Sequence, residues 1–441
     1  MGSTKNLPFP KAPSRLRHLT SRKGSQLALA SLDLTPAEIR ARFQWASSQG
    51  HPQWLWPEVG LQPWAQALDR IAAVARDVML YGKSRDPLHG DATAFAVAGF
   101  TSGMGPLLGY WHKGGKIAAS GPVAAMFELH LRHNRLRMAD MAERASFVSR
   151  ALSDAKIPHT FLKGMHTAYS YFPEPGTRPM SDIDILIAPQ HESPTGKVLR
   201  KLGFVPGLAR SWPREQTWRK AGSPHQPRGL HLVHAEDPWS IDLHTSLNRR
   251  YASGSPILRL DDVVPQDFSS RSTYAPGARV LDQPLLSLHL AVHMCCGLES
   301  LTMLRIVELA LVVSADFADD LDGWRKFLDV AQRARALGCI YPALKLCEEL
   351  VPGTVPEEVR KASRRESPSR VKRVIDSFTP ANAQRVVRCS LTERFMWAPS
   401  RSAVVRQVLS EVFPPGSSSL PTLMGIYRTR LFRFVRRTLT R

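Results

Sequence analysis

Apolar residues recur at every third or fourth position over most of the chain, and one central region breaks that rhythm with short alternating runs. Thr35, Pro36 and Glu38 stand as N-cap, first helical residue and third residue of a capping box, so AEIRARFQWASS reads as a helix. A second helix is predicted over residues 64–82, followed by a loop at SRDPLHGD. Residues 121–155 form the longest periodic stretch, with Phe127, Leu131, Met138, Met141, Ala145, Val148 and Leu152 on one stripe that polar Asn134 interrupts. This helix should end at Ile157-Pro158, because the residue before a proline is pushed out of helical geometry.

Beyond that proline the period changes. HTFLKG at 159–164 is short and apolar, MHTAYSYF at 165–172 suits two helical turns, PEPGTRP is a turn cluster, and DIDILIAP at 182–189 alternates as a strand does. LHLVH at 230–234 and SIDLH at 240–244 bracket AEDPW and predict a hairpin with a five-residue loop. Helical periodicity returns with LLSLHLAVHMCCGL and MLRIVELALVVS and continues to about residue 350, while polar residues 353–370 read as a linker. The pattern predicts the α+β class, a small mixed sheet among helices. It divides the chain into a helical N-terminal region (1–90), a helical lead-in (91–156), a sheet-bearing core (157–270), a helical domain (271–352), and a linker with a helical C-terminal region (353–441).

Composition narrows the class. With 441 residues, 43% hydrophobic and 22% charged, the chain can bury several cores and is not wholly disordered. No run approaches eighteen apolar residues, and the basic N-terminus lacks the apolar segment of a secretory signal, so the sequence reads as cytoplasmic. Five cysteines without a CxxC pair argue against a disulfide framework or thiolate zinc site. The formal charge of +21 sits at the ends: residues 1–50 carry +6 and residues 361–441 carry +13. At the C-terminus Met424, Tyr427, Leu431, Phe434 and Val435 fall on one helical stripe flanked by Arg430, Arg433, Arg437 and Arg441. Such a basic amphipathic helix could contact an anionic membrane surface, placing the protein at the inner face of the membrane, grip RNA phosphates, or dock on the protein's own body.

The chemistry concentrates in acids. Residues two apart on a strand face the same way, so Asp182 and Asp184 share one face while Ile183 and Ile185 take the other. Carboxylates roughly 7 Å apart on one face repel unless a cation or water screens them. Asp242, between Ile241 and Leu243, can join them from a neighbouring strand, and three carboxylates make an oxygen-rich site for Mg²⁺ or Mn²⁺. Lys163 and Gly164 end a strand before a short helix, where a triphosphate could sit, and Arg178 could reach the same phosphates. His244 shares the face of Asp242 and could orient a carboxylate or touch nucleotide.

The string FLKGMHTAYSYFPEPGTRPMSDIDILIAP resembles the signature of the uncharacterised nucleotidyltransferase family, a branch of the polymerase-beta-like superfamily, with its LKG, short helix and Y-x-x-P-x-x-R-x-x-x-DIDLL pattern. GFTSGMGPLLGYWHKG, the helix leading to FLKG, IDLHTSL and LLSLHLAVHM are similar to it in order and spacing, so the resemblance covers about residues 97–315. It implies a small mixed sheet with helices, Asp182 and Asp184 as metal ligands and Asp242 as the third carboxylate. Most of the superfamily has Gly-Ser where this chain has Lys163-Gly164, and the spacing to the first aspartate is longer here. Family members look like tailoring enzymes of peptide or polysaccharide pathways.

Other signals carry less. His289 and His293 have the spacing of two ligands on one helix face, but no HExxH glutamate accompanies them, so they read as packing residues, and Glu308 reads as structural or as supporting a ligand from behind. The glycines near 103–109 do not follow the dinucleotide fingerprint, and no G-x-S-x-G occurs. The reading is a metal-dependent nucleotidyltransferase that takes an NTP and an acceptor hydroxyl on a peptide, saccharide or RNA. The alternatives are a glycosyltransferase using a sugar nucleotide, and a catalytically degenerate module that binds RNA or membrane.

Overall fold

The structure is a computed structural model. It describes residues 55–383 apart from 57–58, 208–214, 224–237, 251–256, 266–269, 276, 296–300 and 319, together with 396–397, 402 and 404–405. The helix expected after Thr35, the strand expected at 230–234 and the basic C-terminal helix lie outside the described residues.

Helices α1 (Leu61–Tyr81), α2 (Ala92–Ser102), α3 (Gly105–Lys113) and α4 (Gly121–Asp154) come first. Asp91 caps α2, its carboxylate accepting from the backbone N–H groups of Thr93 and Ala94. At 34 residues α4 is about 50 Å long, and it serves two hydrophobic cores. Val123, Met126 and Phe127 from its first half belong to the core formed with α1–α3. Met138, Met141, Ala145, Val148 and Leu152 from its second half pack beneath the sheet. The polar interruption at Asn134 is the seam between them. Asn134 is buried, and its Nδ2 donates to the Gly176 carbonyl at 2.7 Å, while Arg135 pairs with Glu174 through Nη2 at 2.8 Å.

The sheet has the order β3-β4-β5-β2-β1-β8 and is mixed, as the α+β expectation requires. Its strands are β1 (His159–Phe161), β2 (Asp182–Ile187), β3 (Phe204–Pro206), β4 (Glu215–Lys220), β5 (Ser240–His244) and β8 (Arg279–Val280), and β6 (Arg249–Arg250) with β7 (Ile257–Leu258) form a separate pair. The segment Lys163–Ser170 is α5, and Glu192–Lys201 is α6. Strands β2 and β5 run parallel, which obliges the chain to cross over between them. The antiparallel partner of β5 among the described strands is β4, a strand the hydrophobic pattern had not announced because Glu215–Lys220 is largely polar. Ile183, Ile185, Ile187, Ile241 and Leu243 point into the core beneath the sheet, so the alternation predicted for residues 182–187 holds.

The opposite sheet face is approached by α7 (Leu285–Cys295) and α8 (Met303–Asp316), with α9 (Leu321–Arg333) and α10 (Tyr341–Leu350) behind. Segment 353–370, read as a linker, instead carries α11 (Glu357–Glu366) and the start of α12 (Ser369–Ile375). Its charged surface masks an apolar stripe: Val359, and Val371 and Ile375 just beyond the segment, reach the larger core. None of the described helices is long and apolar enough to cross a membrane.

Helix α3 packs on α4 through glycine. A Cβ at Gly109 would lie 2.3 Å from the Phe127 carbonyl oxygen, a backbone atom that cannot step aside. Gly109→Ala should therefore destabilise the protein by roughly 1–3 kcal/mol as an overpacked contact. A thermal melt no lower than that of the parent would contradict this close approach.

Candidate active site and metal centre

The parallel register of β2 and β5 sets Asp184 directly beside Asp242 and Asp182 beside Ser240. Oxygens of Asp182, Asp184 and Asp242 come within 4.8 Å of one another. Three hard oxygen donors at that spacing, on a rigid sheet face, fit a divalent cation of the Mg²⁺ or Mn²⁺ type. Their electrostatics point the same way. Burial, and then the Asp184 charge, raise the pKa of Asp182. Asp242 is pushed up to about 6 by burial and by Asp182, Asp184 and Glu215. Burial also opposes the charge of Asp184, but Lys163 and His244 outweigh it and hold that carboxyl well below the usual range.

Asp184 is the hub. Its Oδ2 lies 3.1 Å from Lys163 Nζ, and its Oδ1 is 2.8 Å from His244 Nε2. His244 Nδ1 faces Glu215 Oε2 at 3.6 Å, and Arg249 Nη1 reaches the same oxygen at 3.3 Å. His244 is buried, and these contacts favour its orienting role over direct nucleotide contact. Lys163 opens α5 with φ of 26°, a left-handed value that costs a non-glycine residue on the order of 1–3 kcal/mol. That backbone turn delivers its ammonium to Asp184 and, at 2.7 Å, to His293 Nε2. Burial drives the pKa of His293 well down, so the ring is neutral and can accept from Lys163. His293 is therefore more than the packing residue its helical setting suggested, whereas His289 is buried in the manner expected.

Arg178 is gripped by Glu308, with Nε–Oε1 and Nη2–Oε2 both 2.8 Å and both side chains buried. Thr167 also donates to Glu308. Two arms of the guanidinium are thus committed to joining α8 to the turn before β2, and its Nη1 side faces Gly164. A Cβ at Gly164 would stand 2.9 Å from that Nη1, so glycine there makes room for Arg178.

Part of this set borders a cavity of about 620 Å³, while Asp242 and His244 stand behind its lining residues. Asp182, Asp184, Lys163, Gly164 and Arg178 all line it, and so do three cations the motif did not include, Arg137, Arg219 and Arg305. The wall opposite the sheet is Phe100–Gly103 at the end of α2 together with Thr302, which precedes α8, and Leu304 and Arg305 of α8. Gly103 has φ of 76°, and a Cβ there would lie 2.8 Å from Leu304, so the α2 terminus and α8 close directly on each other. The signal for that wall was present in the GFTSGMGP segment, though nothing in its residue types announces chemistry.

The model of the family described as uncharacterised nucleotidyltransferase matches residues 92–365, more than half of the chain. The chain belongs to this family. The match extends beyond the motif-bearing segment, taking in α2 at one end and most of α11 at the other. No curated protein and no solved structure matches the chain.

Two outcomes follow for the acids. In metal-free protein Asp182→Asn should leave stability unchanged or raise it, since it relieves repulsion. Asp184→Asn strands Lys163 and His244 and should cost about 3 kcal/mol; equal denaturation midpoints in EDTA would remove Asp184 from its central place. A raised Asp242 pKa means that the folded, metal-free chain retains a proton the unfolded chain releases, so this group favours the metal-free fold as pH falls through about 6. Metal must displace that proton, so Mn²⁺ affinity measured by electron paramagnetic resonance should fall from neutral pH to below about 6, and affinity flat across that range would exclude Asp242 as a ligand.

Proposed function

We propose that the protein transfers a nucleotidyl group from a nucleoside triphosphate to an acceptor hydroxyl on the Asp182/Asp184/Asp242 face. One observation carries the reading: three converging carboxylates stand beside a cavity whose walls hold Lys163, Arg178 and Arg305. A polyphosphate needs cationic walls, and carboxylates among them make sense when a metal ion lies between acid and phosphate. Asp182, Asp184 and Asp242 would hold that divalent ion, which when bound neutralises charge on the polyphosphate and the departing pyrophosphate.

The remaining steps belong to the chain's own groups. Lys163, at the start of α5, and Arg305, on the first turn of α8, lie on the wall where the polyphosphate would be received. The acceptor oxygen bonds to the α-phosphorus and the bond to the bridging oxygen breaks. Pyrophosphate leaves with that electron pair, and the hydroxyl proton is released to solvent, since all three carboxylates would be engaged as ligands. His244 holds Asp184 in place, and Glu308 fixes the Arg178 turn beneath the substrate. A cytoplasmic location, where nucleoside triphosphates are supplied, accords with this chemistry.

The test is consumption of each nucleoside triphosphate by the full chain with Mg²⁺ or Mn²⁺, followed through released pyrophosphate across a panel of hydroxyl acceptors. Turnover should vanish with EDTA and fall by at least about a hundredfold in Asp182→Asn and in Asp184→Asn. Consumption of a sugar nucleotide with release of a nucleoside diphosphate would replace this reading with glycosyl transfer. Metal-dependent binding without turnover of either donor would favour a binding module.

A further inference from the structure

Cations flank the carboxylates on two separate sides, and strand order separates them. In one row across the sheet, Arg219 of β4 pairs with Ser240 of β5, which pairs with Asp182 of β2. On the far side of β2, the Leu162 backbone N–H donates to the Asp184 carbonyl at 3.1 Å, and the next residue is Lys163. Adjacent strands lie about 4.8 Å apart, so Arg219 stands roughly 10 Å from the Asp182 backbone in the direction opposite to Lys163. Arg137 strengthens the Arg219 side. It is buried on α4, and its guanidinium donates to Met180 O at 3.0 Å and to Pro238 O at 3.4 Å, which places it at the starts of β2 and β5. Both arginines line the cavity with Ser240.

In-line transfer gives the two sides different duties. The attacking and leaving oxygens lie on opposite sides of the reacting phosphorus. If the polyphosphate occupies the Lys163 and Arg305 side, the acceptor must approach from the side of β5 and β4. We propose that the Arg219–Arg137 end of the cavity is the acceptor subsite, and that the acceptor carries a phosphate group besides the hydroxyl it offers. The proposal rests on the nucleotidyltransferase reading. Arg219 and Arg137 place two guanidinium charges at this end of the cavity, and those charges attract an acceptor that bears phosphate, whereas a neutral sugar or peptide hydroxyl draws nothing from them.

The experiment uses the full-length protein saturated with Mg²⁺ and a non-hydrolysable α,β-methylene nucleoside triphosphate, titrated calorimetrically with inorganic phosphate. Phosphate should bind alongside the analogue. Arg219→Gln should weaken that binding roughly tenfold, as expected for losing one charge-assisted pair, and leave analogue affinity unchanged, while Arg219→Lys should retain part of it. The unchanged analogue affinity also certifies that the variant is folded. Failure of phosphate to bind once the analogue is in place would overturn the proposal, as would an Arg219→Gln variant that loses analogue and phosphate together. Should the analogue itself fail to bind with Mg²⁺, the first titration shows it, and the nucleotidyltransferase reading falls before the acceptor is in question.

Discussion

Three carboxylates forced onto one sheet face must be compensated, and the ion pair between Lys163 and Asp184 anchors that compensation. The pair sits where β1 gives way to α5 and where β2 meets β5, so it binds the two halves of the sheet's polar face together. It is also why a lysine accepts a left-handed backbone angle at the head of α5. Lys163 and His244 favour the charged form of Asp184, whereas burial and neighbouring carboxylates disfavour the charged forms of Asp182 and Asp242, an asymmetry that a divalent cation would relieve.

Everything that positions this face is anchored at a distance. The long helix α4 spans both hydrophobic cores, and its polar middle grips residues 174–180 just before β2 through Asn134, Arg135 and Arg137. Arg178, inside that gripped segment, is tied in turn to Glu308 on α8. A chain of hydrogen bonds, buried at Asn134 and Arg178, therefore runs from the helical lead-in through the turn before Asp182 to the C-terminal helices. Such pre-organisation holds ligands at fixed separation without relying on loop residues.

The cavity is a boundary feature between the polar sheet face and the helical cover. Its aspartates come from strands, its glutamate Glu308 from α8, and its cations from α4, α5, α8, β4 and the turn before β2. Placing arginines on both flanks of the acids, rather than in one cluster, is what separates a donor side from an acceptor side in the proposed chemistry.

The sequence by itself determined the local geometry. Period-two alternation put Asp182 and Asp184 on one face and the isoleucines on the other, and period-three-and-four spacing fixed α1, α4, α7 and α8, because each of these is a short-range rule of backbone geometry. Even Asn134 announced the seam in α4 by breaking the stripe. The polar strand β4 and the helices hidden in segment 353–370 were not legible, since their apolar contacts are few and their surface residues dominate the pattern. Only the tertiary structure decided that Glu308 would occupy Arg178, that His293 would face Lys163, and that Arg219 and Arg137 would stand opposite them across the acids. Those partners lie tens to more than a hundred positions apart, and no local periodicity encodes which side chains will meet when two cores close on one sheet.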